Sequence, residues 1–140
     1  MGLIPVLYCL NEQIHWSLLM TGYFLADAPP TPDEPYVGHF YTTGSESGTQ
    51  IAAKVFTFFD SVGDVEDDKW SPQVVETLYW WFQRWGFSYL YASEDPDGIE
   101  IGVPGGGSWS DLAIWSIARM RKDVDGWVAE PEVISQVSKC

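Results

Sequence analysis

Gly105, Gly106 and Gly107 run in succession into Ser108, between an alternating apolar segment and a helix-like one. In that setting backbone N–H groups can be aimed at an anion. The surroundings argue against a phosphate site, because no Walker lysine follows and G-x-G-x-x-G spacing is missing. The chain also carries a formal charge of −13, which would repel a phosphate. Three glycines at this place read first as a sharp strand-to-helix turn. The catalytic alternative is a small enzyme that uses this loop and neighbouring carboxylates on a neutral or cationic substrate.

The other reactive side chains form no motif. His15 and His39 are the only histidines, and neither stands in H-E-x-x-H or in a C-x-x-C framework. Cys9 with either histidine could be imagined as a thiol catalyst, but no spacing supports it. Cys9 and Cys140 read as free thiols of a reducing cytosol. The run at residues 60–68 lacks the alternating oxygen ligands of an EF-hand. No catalytic residue, metal site or cofactor is expected.

What stands out is acid beside aromatic. Asp60, Asp64, Glu66, Asp67 and Asp68 place five carboxylates in nine positions, and Glu94, Asp95, Asp97 and Glu100 form a second group. Like charges at this density cost stability by self-repulsion, and few bases lie near enough to offset them. Between the two groups lies WSPQVVETLYWWFQRW, residues 70–85. Ser71 is suited to cap a helix and Pro72 to open it, while Trp70 and Val75 can form a staple. Val74, Leu78, Trp81 and Trp85 recur at helical spacing, widened by Val75, Tyr79 and Phe82. Adjacent helical positions point about 100° apart, so Trp80 and Trp81 cannot both occupy the centre of that stripe. Trp81 belongs to it and Trp80 to its edge. Gly86 can take the left-handed conformation that stops a helix.

The elements around this helix read as follows. Residues 3–9 suggest a short strand with Pro5 at its distorted start. Asn11 could cap a helix reaching about Ala26, with Gly22 an interruption in the pattern. Residues 27–35 are a proline-rich connector. Its Pro29, Pro32 and Pro35 have SH3-ligand spacing but no flanking base. Residues 36–43 and 51–59 look like a hairpin, as do 87–92 and 99–103. Ser108 and Asp111 fit a capping box for a helix with Leu112, Ile114, Trp115 and Ala118 inward. Its last turn would hold Arg119, Arg121 and Lys122, and Asp125-Gly126 would close it. Pro131 could start a terminal helix through Val133, Ile134 and Val137. The expected order is β-α-ββ-α-ββ-α: an α+β domain over residues 1–140, with antiparallel hairpins packed on about three helices.

Twenty acids against seven bases disfavour direct nucleic-acid binding and attachment to an anionic membrane. The charge is concentrated in the middle, with −7 on residues 54–103 against −5 before and −1 after. No basic leader precedes the apolar N-terminal stretch, and no apolar run reaches the ~20 residues of a membrane span. The expected protein is a small, cytoplasmic, non-enzymatic inhibitor that docks an acidic face on a basic, nucleic-acid-handling partner such as a nuclease. Toxin-immunity proteins and phage anti-CRISPR proteins are analogies of size and charge. The contact residues would be Asp64, Glu66, Asp67, Asp68, Trp80, Glu94, Asp95 and Asp97. A homo-oligomer that buries the aromatic helix is the structural alternative, and monomer or dimer is left open.

Overall fold

The computed structural model describes residues 5–25, 46–63, 69–86 and 108–140. Within them 86% of residues are helical, in five helices, and no strand occurs. We label these α1 (Pro5–Leu25), α2 (Glu46–Ser61), α3 (Pro72–Trp85), α4 (Trp109–Gly126) and α5 (Pro131–Ser138). The expected α+β class is therefore overturned. Residues 5–9, expected as a strand, are the first turns of α1, with Pro5 at the start where its missing N–H costs nothing. The strand expected over 51–59 is the body of α2. Ala52, Val55, Phe56 and Phe59 are its buried positions, at intervals of three and four, and Val62 just past its end is buried with them. A hairpin between 36–43 and 51–59 is thus excluded by its second arm, and residues 36–43, 87–92 and 99–103 lie outside the described residues.

α3 is the axis of the fold. All seven stripe residues are buried, and Trp81 has no accessible surface. Its neighbours are aromatic to an unusual degree. Phe56 of α2 meets Trp81, Phe82 and Trp85 of α3, and Trp115 of α4, each edge to face at 5.0–5.9 Å between centroids. Phe59 does the same with Tyr79 and Trp115. Edge-to-face pairing sets the positive rim of one ring against the negative face of the next, so this core is held by geometry as well as by area. α5 closes α3 from the other side with Val133 and Val137, next to the buried Trp127.

The caps divide between expectation and correction. Ser108 and Asp111 form the complete capping box: Asp111 N–H donates to Ser108 Oγ at 3.1 Å and Ser108 N–H to Asp111 Oδ2 at 3.2 Å. α5 begins at Pro131. Ser71 stands at the N-cap of α3, but its hydroxyl makes no capping bond. Gly86 has φ −59° and ψ −41°, a right-handed conformation, so it does not end α3 by turning left-handed. α4 turns a different face inward from the one expected. Leu112 and Trp115 pack on the core, Ile114 and Ala118 are exposed, and Arg119 and Asp123 are buried. α4 also runs on to Gly126, so Arg119, Arg121 and Lys122 precede its last turn.

No described helix is long and apolar enough to cross a membrane.

Candidate functional site

α1 packs along α3, and side chains the sequence reading took for something else make the junction. Asn11 lies in the second turn of α1, not at a cap, and is buried. Its Nδ2 donates to Leu7 O at 2.8 Å and Lys69 O at 2.9 Å, while its Oδ1 accepts from Ser71 N–H at 2.9 Å. One amide thus spends both donors and an acceptor, and it fastens α1 to the entry of α3. One turn on, Thr77 Oγ1 donates to Gln73 O at 2.7 Å. Its single proton used, it accepts from His15 Nδ1–H at 2.6 Å. His15 is therefore a packing residue that holds a hydroxyl. Cys9 is an exposed free thiol about 120° further round α1, so no thiol–imidazole couple forms between them. His39 lies outside the described residues.

The crossing itself is at Gly22. A Cβ there would sit 2.6 Å from Trp80 Cζ3 and 3.3 Å from Trp81 Cδ1, so only glycine lets both indoles lie against α1. Trp80 is half-buried. Its ring is 5.2 Å from that of Tyr23, and Arg84 stacks its guanidinium over both, 4.5 Å from the Tyr23 centroid and 5.6 Å from the Trp80 centroid. Arg84 Nε also donates to Gly22 O at 3.3 Å. Of the expected contact residues, Trp80 alone is among those described. It stands at the edge of the stripe with part of its ring open to solvent. Asp64, Glu66, Asp67, Asp68, Glu94, Asp95 and Asp97 lie outside the described residues, as do Gly105, Gly106 and Gly107. Asp60, at the start of the first acidic run, accepts the indole N–H of Trp115 at 2.9 Å and so pins α2 to α4.

A buried polar network joins three helices. Tyr79 donates its hydroxyl to Asp123 Oδ2 at 2.5 Å, and Arg119 Nε donates to the same oxygen at 2.9 Å. Arg119 Nη2 reaches Val62 O at 2.7 Å, and its guanidinium lies over Phe59 at 5.0 Å. Burial, reinforced by the carboxylate of Asp123, drives the Tyr79 phenol far above its ordinary range, only partly opposed by Arg119. Tyr79 is thereby a fixed donor rather than an acid. Cys140 Sγ lies 3.5 Å from Gln136 O and 3.7 Å from Tyr79 O, and desolvation pushes the thiol up to about 11. Such a thiol is a poor nucleophile near neutrality. Among the described residues no group of three or more His, Cys, Asp or Glu side chains could hold a metal ion.

Two features bear on binding. The first is where the cations go: Arg119 is inside the core and Arg84 is folded onto the Gly22 junction. The second was missed by the sequence reading. α1 buries Asn11, Leu18, Gly22 and Leu25 on one side and turns Val6, Trp16, Met20 and Phe24 outward on the other, each 59–67% exposed. The signal was available, because the 21 residues of α1 include a single charged side chain, Glu12. A helix apolar all round has more apolar surface than one neighbour can cover. No family model matches the chain, and no curated protein or solved structure is significantly similar to it.

Proposed function

We propose that the protein is a non-enzymatic cytoplasmic inhibitor that docks on a basic, nucleic-acid-handling protein and blocks its phosphate-binding cleft. The observation that carries this reading is the disposition of charge. The formal net charge is −13, and two of the seven bases are turned inward, Arg119 into the core and Arg84 onto the α1–α3 junction. Arg119 is buried together with the carboxylate of Asp123, so that pair cancels and the remainder of the chain still carries the whole −13. Such a charge accelerates encounter with a cationic cleft and gives it a strong salt dependence. Carboxylates at Asp64, Glu66, Asp67, Asp68, Glu94, Asp95 and Asp97 stand in for phosphates, and the open edge of Trp80 adds apolar contact.

The test has two stages. Immobilised protein is challenged with lysate at low and high salt, and any basic protein released by salt is purified and assayed with nucleic acid in the presence of the inhibitor. Salt-sensitive capture, loss of the partner's nucleic-acid binding or cleavage, and failure of both with Asp64, Glu66, Asp67 and Asp68 changed to Asn or Gln would support the reading. Direct binding of duplex DNA by the protein itself, or capture indifferent to those four substitutions, would overturn it.

A further inference from the structure

α1 and α2 leave a groove of about 450 Å³ between them. Leu10, Ile14 and Leu18 of α1 form one wall, and Ile51, Val55 and Phe58 of α2 form the other. Its polar lining is Gln13, Ser17, Thr21 and Lys54, and two of these four are already spent. Ser17 Oγ–H donates to Gln13 O at 2.8 Å and Thr21 Oγ1–H to Leu18 O at 3.0 Å, so both hydroxyls are turned back on their own helix. Lys54 is different. It is exposed at the rim, makes no ion pair or hydrogen bond among the described residues, and is the only Lys or Arg in the first 68 positions. It is the one cation that lines the groove, and it has no carboxylate partner among the described residues.

We propose that this groove binds a free amphiphilic carboxylate of the fatty-acid class, with its hydrocarbon chain laid between α1 and α2 and its head group on Lys54. Three arguments converge on that occupant. The volume lies within the roughly 300–1,000 Å³ of small-molecule sites. The groove follows α1 from Leu10 to Thr21, a length of about 16 Å at 1.5 Å per residue, which suits an extended chain better than a compact ring system. The lining offers apolar carbon along its length and one cation at the edge, so it complements a ligand with a single anionic end. A lipid still in a bilayer is disfavoured, because the net charge of the protein opposes approach to an anionic surface.

The experiment is calorimetric titration of the intact protein with decanoate, and with decyltrimethylammonium as the charge-reversed probe, both below their micellar concentrations. Helicity is checked by circular dichroism. The expected result is saturable binding of one decanoate per chain, tighter than that of the cationic probe. Lys54→Met should weaken decanoate by about two- to fivefold, the span expected of one exposed charge pair, and leave the cationic probe no weaker. Ser17→Phe, at an exposed position on the opposite wall, should block both probes while the helicity is kept. Absence of decanoate binding, equal affinity for the two probes, or full retention by either variant would overturn the proposal. So would a dimer in light scattering that Ser17→Phe dissociates, since the groove would then belong to a second copy of the chain.

Discussion

Replacing Gly22 by alanine places a methyl group 2.6 Å from Trp80 Cζ3 and 2.9 Å from Trp80 Cη2. Two terms of opposite sign meet at this position. Alanine is favoured over glycine in a helix by about 0.8–1.0 kcal/mol. Overpacking a close contact costs typically 1–3 kcal/mol, and here the indole has little room to yield, held by Tyr23 on one side and Arg84 on another. Gly22→Ala should therefore destabilise the protein by a net amount of about 0–2 kcal/mol. In a Trp80→Ala background the contacts under 3 Å are gone and the 3.3 Å approach to Trp81 Cδ1 remains, so the same substitution should range from neutral to stabilising by up to about 1 kcal/mol. Trp80→Ala alone should cost about 2–3 kcal/mol, from roughly 100 Å² of indole surface, half of a large aromatic's burial, at ~25 cal/mol per Å². The cycle then yields a coupling of about 1–3 kcal/mol between positions 22 and 80. Urea unfolding followed by circular dichroism measures it, since fluorescence would change with the tryptophan itself. Additivity within about 0.5 kcal/mol, or a stabilising Gly22→Ala in both backgrounds, would refute the crossing geometry.

Trp81→Ala should cost about 3–5 kcal/mol, more than Trp80→Ala, because its ring is wholly enclosed; chemical denaturation decides the order. Asn11→Ala should cost about 2–4 kcal/mol by stranding Lys69 O and Ser71 N–H, and Asn11→Asp at least as much, since two carbonyls would then face a carboxylate. Stability should fall as pH rises past the ordinary phenol value of 10.0: the folded chain holds the Tyr79 proton there while the unfolded chain releases it. Tyr79→Phe should flatten that alkaline slope while lowering stability at neutral pH by about 1–2 kcal/mol, both visible in melting curves taken across pH. Changing Asp64, Glu66, Asp67 and Asp68 to Asn or Gln should leave the melting temperature unchanged or raised by relief of repulsion, while slowing partner association in a stopped-flow measurement.

The sequence made α3 legible because its signals agreed: a cap residue, a proline and an apolar stripe at one period, bounded by a glycine. Ser108 with Asp111, and Pro131, were readable for the same reason. α2 was misread because Ile51, Val55, Phe56, Thr57 and Phe59 are β-branched or aromatic, a composition that favours strands locally, while the helical spacing of its buried positions shows only over the whole segment. Asn11 and Gly22 were misread because each serves a partner about sixty residues away. Nothing local distinguishes a buried amide that bridges two helices from one that caps, or a glycine that admits an indole from one that interrupts. The inward face of α4 was missed because Arg119 and Asp123 are hidden as a pair, and polarity pattern alone places them outside. For the contact face, charge and Trp80 could be read, and the scarcity of charge in α1 signalled surplus apolar surface, but which side of that helix is turned outward among the described residues came only with the fold.

The junction of α1 with α3 also sets an order of events in synthesis. Asn11 awaits Lys69 and Ser71, His15 awaits Thr77, and Gly22 awaits Arg84, each a separation of about sixty residues. At the roughly 5–20 residues per second of translation, α1 leaves the ribosome some 3–12 seconds before its partner helix exists. During that interval a segment of 21 residues with one charged side chain lacks the helix that covers its buried face. α1 is thus the part of the nascent chain that a holdase would grasp, and the part through which two unfinished chains would stick together. A mutation that delays α3, even one far from α1, lengthens that exposure and should show first as lost soluble yield rather than as a lower melting temperature.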